Sequence, residues 1–358
     1  MLDGTQHVGD GYLYTLAVDT DRGTLELVNT TTAASAHPWL SYDTTRRVLY
    51  ASGWSNPIAG HRTYSAYAIQ DDFTPLLLNT VPSCGTKPIA NQFVSHTDSG
   101  VFYGVDFVNP CGDVWSIKES GAFDENIQTI AFEEGATLHG FVNTVDLRFM
   151  YVMDLGGNAV HTFQVDAGNG TVAELTTTPP SVEDAGPRHA VIHPSGNFMY
   201  LIDEEGLRVD QFALDSSTAQ LTITNKTLAV TPFGVSVTRQ RLRILGRRNC
   251  SLILRNTLYT STRSRDASQP GYISGWSLTE DGDIEADLFV VETPEAGGTP
   301  WSDASKDMLI LTDQDTGFVA LYNLTGSTLE LVNRVIERTH ASGSITGTAC
   351  CAGSVWLD

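Results

Sequence analysis

The chain has 358 residues, 41% of them hydrophobic, and its 21 basic and 42 acidic side chains give a formal net charge of −21. It contains no run of about 18 apolar residues, so the sequence predicts no membrane-spanning helix. Binding to nucleic acid needs a positively charged surface, so the acidic balance argues against such a partner. Any site for an anion must therefore depend on a local group of cations.

The first predicted element is a strand at residues 11–19, and after it a polar turn followed by a hydrophobic-aromatic strand recurs six times. One residue of each such strand serves as its anchor: Tyr50, Tyr103, Tyr151, Tyr200, Tyr259 and Ile310. Successive anchors are 53, 48, 49, 59 and 51 residues apart. A period of about 50 residues accommodates four short strands with their loops and is typical of β-propeller blades.

A second strand with alternating apolar and polar residues follows several anchors, for example at residues 159–166, 207–214 and 271–278. Such alternation between Gly, Asp and Asn turns is typical of β-strands. Residues 11–19 match this second strand without a preceding anchor, so residues 353–358 are expected to complete the first blade. The sequence predicts one all-β domain over residues 1–358, a seven-bladed β-propeller of four-stranded antiparallel blades. The sequence does not indicate an oligomeric state.

Eight of the 17 arginines lie between Arg239 and Arg265. This group is either a local anion site or a solvated loop. The part before Arg255 breaks the blade pattern, which favours the loop, and we expect residues 232–256 to depart from a regular inner strand.

Five cysteines are present, and none has the C-x-x-C spacing of structural zinc sites. Cys84 and Cys111 flank one strand unit and are predicted to form a disulfide. Five N-glycosylation sequons occur, at Asn29, Asn169, Asn225, Asn249 and Asn323. These features favour an extracellular glycoprotein over the alternative of a cytoplasmic protein.

The sequence lacks the G-x-S-x-G, P-loop, H-E-x-x-H and G-x-G-x-x-G motifs. His189 and His193 are four residues apart, but on a strand this spacing spans about 13 Å, too far for one metal ion. We therefore assign both histidines ordinary packing roles. The sequence predicts no metal, nucleotide or redox cofactor.

A candidate site emerges when each repeat is counted from its anchor. Asn91, His139 and Arg188 each lie twelve residues before an anchor, and Glu204 and Arg263 each lie four residues after one. Equivalent positions of a propeller form rings around its axis, so these side chains can converge despite their distance along the chain. The alternative is a set of unrelated polar residues at strand ends.

The segments 138–140, 187–200, 204–206, 260–263 and 271–273 resemble the seven-bladed β-propeller lactonase family. Within that family the likeness is greater to the fungal 3-carboxy-cis,cis-muconate cyclases than to the bacterial 6-phosphogluconolactonases. Segments 300–303, 312–315 and 355–358 extend the resemblance to the C-terminus. The resemblance implies that the histidine, the two arginines and the glutamate of the cyclase site fall on His139, Arg188, Arg263 and Glu204.

The resemblance also implies lactone formation from a carboxymuconate-like substrate without a metal or cofactor. Arg188 and Arg263, with Asn91, would bind carboxylates, because a guanidinium group matches a carboxylate bidentately. A histidine facing a polyanion favours its protonated form, so His139 is the expected proton donor and Glu204 the orienting group or base. Two alternatives stay open: a lactone hydrolase acting on a small anionic lactone, and a secreted propeller that binds ligands without catalysis.

Overall fold

The computed structural model of the chain describes residues 11–95, 100–232, 241–244, 256–263, 270–293, 299–303, 308–313, 318–325, 328–336 and 354–357. These residues form 26 strands and contain no helical segment. Across these described ranges, no helix has the length and hydropathy needed to span a membrane.

The strands form one two-stranded sheet followed by six four-stranded antiparallel sheets. The first sheet contains β1 (Gly11–Asp19) and β2 (Thr24–Ala33). The second sheet contains β3 (Trp39–Asp43), β4 (Val48–Ile58), β5 (His61–Ile69) and β6 (Pro75–Pro82). The third contains β7 (Pro88–Val94), β8 (Val101–Asp106), β9 (Cys111–Ile117) and β10 (Phe123–Ala131).

The fourth sheet contains β11 (Leu138–Asn143), β12 (Phe149–Asp154), β13 (Ala159–Val165) and β14 (Val172–Thr178). The fifth contains β15 (Pro187–Ile192), β16 (Phe198–Asp203), β17 (Arg208–Leu214) and β18 (Leu221–Ala229). The sixth sheet contains β19 (Arg241–Ile244), β20 (Thr257–Arg263), β21 (Tyr272–Leu278) and β22 (Ile284–Glu292). The seventh contains β23 (Thr299–Asp303), β24 (Met308–Asp313), β25 (Phe318–Thr325) and β26 (Thr328–Ile336). Within each four-stranded sheet, the strands follow chain order.

The first strands of consecutive four-stranded sheets contact one another, from β3 to β7, β11, β15, β19 and β23. The first and last sheets also meet, because β2 contacts β26 and the Asn333 side chain donates a hydrogen bond of 3.4 Å to the Gly23 carbonyl. This is the arrangement of a β-propeller with the first strands innermost. The prediction of an all-β chain of four-stranded antiparallel blades is confirmed.

The predicted closing strand at the C-terminus stays a prediction. Residues 354–357 are described but belong to no sheet. Their side chains nevertheless pack against the start of the chain: Val355 and Leu357 join the cluster of Leu13 and Ala33, and Trp356 joins that of Leu25.

The repeated tyrosines join neighbouring sheets. The hydroxyl groups of Tyr50, Tyr103 and Tyr151 donate hydrogen bonds of 2.9, 2.6 and 3.0 Å to carbonyls in the turn between the third and fourth strands of the next sheet. All three side chains are almost completely buried. A buried phenol needs a partner for its hydroxyl, and this turn supplies one in each repeat. The interblade hydrogen bond therefore explains why the anchor is so often tyrosine.

The hydrophobic core is divided into clusters that lie between adjacent sheets. In one of them, Tyr151 and Met153 of β12 pack with Met199 and Leu201 of β16 and with Phe212 of β17. Burying one such side chain contributes roughly 1.5–3 kcal/mol, so each interface between sheets is stabilised by many such contributions.

Two expectations about particular segments have clear outcomes. Cys84 and Cys111 are joined by a disulfide that links the segment before β7 to the start of β9. The expectation that residues 232–256 lack a regular inner strand is wrong for Arg241–Ile244, which pairs with β20 as strand β19. Residues 233–240 and 245–255 lie outside the described residues.

The sequons occupy different surroundings. Asn169 and Asn225 are exposed, whereas Asn29 and Asn323 are half-buried within strands β2 and β25. Asn249 lies outside the described residues.

Candidate active site

The strand register identifies equivalent positions in the blades more reliably than counting along the chain. Pro88, Leu138 and Pro187 each pair with an aspartate three residues after an anchor. The residues that follow them form the inner-strand ring: Ile89, His139 and Arg188. His139 and Arg188 therefore occupy the same position in neighbouring sheets, as the counting predicted.

A β-bulge lies at each of these two site residues. In β11 the pairing passes from Leu138 opposite Asp154 to Gly140 opposite Met153, so His139 is the extra residue. In β15 Arg188 is likewise the extra residue, between Pro187 and His189. A bulge redirects one side chain while the flanking residues remain paired. The bulge thus sets the side-chain direction of His139 and Arg188 separately from the alternating side chains that pack into the core.

A second-strand ring is defined by a repeated backbone hydrogen bond. The amides of Trp54, Phe107, Leu155 and Glu204 donate to carbonyls just before the inner strands, over 2.8–2.9 Å. Glu204 is the only carboxylate among these four residues. Arg263, the last residue of β20, pairs through its backbone with Arg241 of β19, but its side chain lies outside the described residues.

The charged residues of the two rings meet in a buried cluster. Arg188 Nη1 contacts Glu204 Oε2 in an ion pair, and the two residues are 2% and 3% exposed. His139 Nδ1 lies 2.8 Å from His189 Nε2, and both imidazoles are buried. Because Arg188 and His189 are consecutive residues, the two pairs belong to one cluster, named here the polar cluster. The structure thus pairs Arg188 with Glu204, and it pairs His139 with the chain neighbour of Arg188.

Gly140 makes room for the contact between the two histidines. A Cβ atom on Gly140 would lie 2.6 Å from His189 Cδ2 and 2.7 Å from the Arg188 carbonyl oxygen. Neither distance leaves space for a methyl group. The missing side chain therefore lets β11 and β15 approach closely enough for the imidazoles to bond.

Aromatic rings border the polar cluster on the side of the second and third sheets. The Phe107 ring stands edge-on to His139 with 5.5 Å between centroids, and the Trp39 ring stands edge-on to His189 at 5.2 Å. The indole N–H groups of Trp39 and Trp54 are held by carbonyls of β7, at Asn91 and Pro88. These three aromatic residues are only partly buried, so they border accessible space, whereas the polar cluster lies beneath the surface.

Asn91 was assigned to the wrong ring by counting. It pairs with Gly104, and the hairpin from β7 to β8 is two residues longer than the corresponding hairpins, so Ile89 occupies the position of His139. The Asn91 side chain instead bonds to Ser41 Oγ at 2.7 Å, Ser52 Oγ at 2.9 Å and the Trp39 carbonyl at 3.2 Å. It is thus a buried link between β7 and the second sheet.

His189 is the residue that the sequence interpretation underestimated. The sequence predicts only ordinary packing here, but the His189 ring also bonds directly to His139, the predicted proton donor. One signal was available: the structural counterpart of His189 in the preceding sheet is Gly140, next to His139. Glycine at this position in β11 and histidine at the equivalent position in β15 indicate that the His189 ring fits into the space that Gly140 leaves between the two strands. His193 does fit a packing role, since its Nδ1 lies 2.8 Å from Ser195 Oγ in a turn.

Asp203, the residue before Glu204 in the chain, carries a buried carboxyl group. Burial, and then the neighbouring Asp210 carboxylate, raise the pKa of Asp203 to about 8, although the Arg208 guanidinium acts in the opposite direction. The equivalent carboxylates of Asp106 and Asp154 accept hydrogen bonds from several backbone amides. The blade that carries Glu204 thus differs from its two predecessors in how it accommodates this aspartate.

The polar cluster combines a guanidinium group, a carboxylate and a pair of imidazoles. Within the described part of the chain, no three His, Cys, Asp or Glu side chains are grouped so that they could hold a metal ion. A guanidinium group can bind an anion, and an imidazole whose other nitrogen is occupied can give or take a proton at a fixed place. The arrangement is suited to proton transfer to or from an anionic ligand.

Comparison with known proteins identifies the family of this chain. The profile of the family described as "Lactonase, 7-bladed beta-propeller" matches residues 4–337. A carboxy-cis,cis-muconate cyclase of Neurospora crassa is 26% identical over 91% of this chain and 92% of its own length. A muconate cycloisomerase 1 of Cutaneotrichosporon cutaneum is 23% identical over 97% and 95%.

The fold is also that of a periplasmic gluconolactonase of Pseudomonas aeruginosa, with a TM-score of 0.73 and 15% identity over 89% of this chain and 91% of that one. The chain belongs to the seven-bladed β-propeller lactonase family, and it is an enzyme of that family.

Proposed function

We propose that this lactonase-family enzyme is a cycloisomerase that closes a lactone ring in a carboxymuconate-like polycarboxylate, without a metal or cofactor. The observation that carries the proposal is the polar cluster, in which a buried Arg188–Glu204 ion pair adjoins the bonded imidazoles of His139 and His189. The similarity over almost the whole length to two enzymes named for muconate cyclisation supports the same reaction class.

The proposed reaction needs only the substrate and one proton. A carboxylate oxygen adds to a carbon of the conjugated diene and forms the new C–O bond of the lactone. The displaced π electrons move to the carbon beside another carboxyl group, where negative charge develops. That carbon then takes up the proton. Arg188 is proposed to bind the carboxylate on which this charge develops, with Arg263 as a second cation, because fixed cations stabilise such charge by several kcal/mol.

His139 is proposed as the proton donor. Its Nδ1 lies 2.8 Å from His189 Nε2, so we assign Nε2 as the nitrogen that would exchange a proton with a ligand. If His189 Nε2–H donates to His139 Nδ1, the proton of His139 resides on Nε2, the tautomer needed in a donor. Glu204, in contact with Arg188, is proposed to keep that guanidinium in place and to accept a proton in the reverse direction.

The test is a direct assay of 3-carboxy-cis,cis-muconate. Ring closure removes the conjugated diene, so the ultraviolet absorbance of the diene is expected to fall, and proton NMR of the product is expected to show a lactone. His139→Gln and Glu204→Gln should mainly lower kcat, because proton transfer contributes about 10²–10⁴-fold. If the purified enzyme leaves the substrate unchanged while these residues are intact, the proposal is wrong.

Lactone hydrolysis is the second candidate. The gluconolactonase with the same fold motivates it, and a buried glutamate beside an arginine can in principle take a proton from water. Hydrolysis of 6-phosphogluconolactone or of simple lactones, measured by acid release, would favour this candidate. If the enzyme turns over neither class, a binding module becomes the better interpretation.

Two further features are proposed from the sequence together with the fold. We infer that the C-terminal segment closes the first blade to give seven, supported by the packing of Val355 and Leu357 on β1 and β2 residues. We also infer an extracellular location, supported by the Cys84–Cys111 pair and the exposed sequons at Asn169 and Asn225. Peptide mapping of the protein from its native source would show whether these asparagines carry glycans.

A further inference from the structure

Lys87 lies at a distinctive place beside the two rings. It immediately precedes β7, and its carbonyl accepts the hydrogen bond that positions Phe107 in the second-strand ring. It is one of four lysines in the chain. The corresponding residues of the next two sheets, defined by the same hydrogen bond, are Thr137 and Gly186. Among the four sheets in which this hydrogen bond is described, only the third has an ammonium group at this position.

The Lys87 side chain extends over the aromatic residues of the ring. Its Nζ lies 5.0 Å from the centroid of the Trp54 ring and 5.7 Å from that of Phe107. Cation–π contacts at these distances hold an ammonium group in place. Phe107 in turn stands edge-on to His139. The Phe107 ring thus contacts both the Lys87 ammonium and the proposed proton donor.

The geometry points to Lys87 as a specificity-determining residue that binds an additional carboxylate of the substrate. This inference rests on the proposed function. Lys87 precedes β7 and Arg188 belongs to β15, the two inner strands that contact the β11 strand of His139, so a planar substrate protonated by His139 would have a cation toward each end. A muconate with a third carboxyl group can use both cations, whereas a simple dicarboxylate needs only the arginines. Trp54 and Phe107 offer flat surfaces for the hydrocarbon between the charged groups.

Lys87 also has a structural partner. Its amide donates to Asp106 Oδ2 over 2.6 Å, and its positive charge lowers the pKa of that carboxyl, although burial raises it more. A purely structural lysine would only compensate this buried carboxylate. The backbone hydrogen bond persists in any side-chain variant, so only the ammonium group is removed by substitution. A useful test must separate a loss of folding stability from a loss of discrimination between substrates.

The experiment compares Lys87→Met and Lys87→Arg with the matched control Lys118→Met, which removes a lysine that is half exposed and paired with Asp124. KM is measured for 3-carboxy-cis,cis-muconate and for cis,cis-muconate, together with the melting temperature. Lys87→Met should raise KM for the tricarboxylate about tenfold, the effect of losing one charge-assisted hydrogen bond. KM for the dicarboxylate should stay within about twofold, and Lys87→Arg should retain most of the discrimination. The control should change neither KM.

Equal changes for both substrates, or a lower melting temperature with unchanged KM values, would overturn the inference in favour of a structural role. If the wild type turns over neither muconate, calorimetric binding of tricarballylate and glutarate replaces the assay. Tighter binding of tricarballylate that is lost in Lys87→Met would support Lys87 as a carboxylate site even though the proposed reaction is wrong. No difference between the two acids would refute the role of Lys87 independently of the reaction.

Discussion

The second and third sheets, β3 to β10, and the fourth and fifth, β11 to β18, build the same positions from opposite chemistry. In the first pair the two rings carry Ile89, Trp54 and Phe107. In the second pair they carry His139, Arg188 and Glu204, with Leu155 as the one apolar member. Similar backbone positions thus support an aromatic half and a charged half around one centre. Under the proposed function, a ligand would place its reacting end toward β11 and β15 and its hydrocarbon part toward the aromatic residues.

The largest effect is expected where the charged half transfers the proton. His139→Gln should lower kcat by about 10²–10⁴-fold with little change in folding stability, since glutamine still fills the site but is not an acid. The matched control is His161→Gln, another buried histidine, which bonds to Glu174 at 2.8 Å on β14. Steady-state kinetics on 3-carboxy-cis,cis-muconate should leave kcat of the control near that of the wild type. Equal losses in both variants would mean that His139 has only a structural role.

Breaking the buried ion pair should affect both folding and activity. Arg188→Met leaves the Glu204 carboxylate buried without this cation, so unfolding free energy should fall by about 3–5 kcal/mol and kcat/KM by at least about tenfold. The double variant Arg188→Met/Glu204→Met should recover much of the stability in urea unfolding but none of the activity. Recovery of activity in the double variant would show that the pair is structural only.

The disulfide tests the aromatic half. Because Cys84 and Cys111 enclose a loop with a sequence separation of 27, removing both thiols with serine should lower the unfolding free energy by about 2–4 kcal/mol. kcat should be unchanged, since neither cysteine belongs to the polar cluster. Mass spectrometry of a non-reduced digest checks the pairing itself. Free thiols at both positions in protein from a secretory host would contradict the pairing and weaken the extracellular assignment.

Gly140→Ala tests the close approach of the two inner strands in the charged half. The new methyl group would overlap His189 and the Arg188 carbonyl, so the strands must separate, at a cost of about 1–3 kcal/mol. The bond between the imidazoles should weaken, and kcat should fall with it. Gly168→Ala is the control, because a Cβ there meets only the Asp166 carboxylate at 3.2 Å. Full activity of Gly140→Ala would show that the histidine pair is dispensable.

A further test concerns the pH dependence contributed by Asp203. Because burial raises its pKa from 3.8 to about 8 in the folded protein, folding requires this carboxyl to hold a proton between those values. Its contribution to stability is therefore lost progressively as the pH rises from about 4 to about 8. Urea unfolding at pH 5 to 8 should show a shallower pH dependence for Asp203→Asn than for the wild type. Identical slopes would contradict the assignment.

Much of the fold could be predicted because each blade repeats a chemical requirement. The buried tyrosine needs a carbonyl in the next blade, so the anchor recurs at a nearly constant interval. The bulged residues His139 and Arg188 were found for the same reason, because the fourth and fifth sheets have hairpins of equal length. Counting failed at Asn91, where a hairpin longer by two residues shifts the register.

The contacts between side chains of different blades could not be predicted from periodicity. Counting gives the position of His189 within its own strand, but the contact to His139 depends on Gly140 in another strand. The same holds for Lys87, which is identified only by the two aromatic rings beneath its ammonium group. Such contacts depend on how adjacent sheets are rotated relative to each other, and the repeat itself does not encode that rotation.

The contact between Trp39 and His189 also bears on the order in which the chain folds. These rings are 150 residues apart in the chain and belong to sheets separated by two others. Contacts between residues so distant in sequence form late, because the intervening chain must first be ordered. During refolding, β-structure is therefore expected to return before enzymatic activity, and a chain arrested with only its first three sheets assembled would be rich in strands yet inactive.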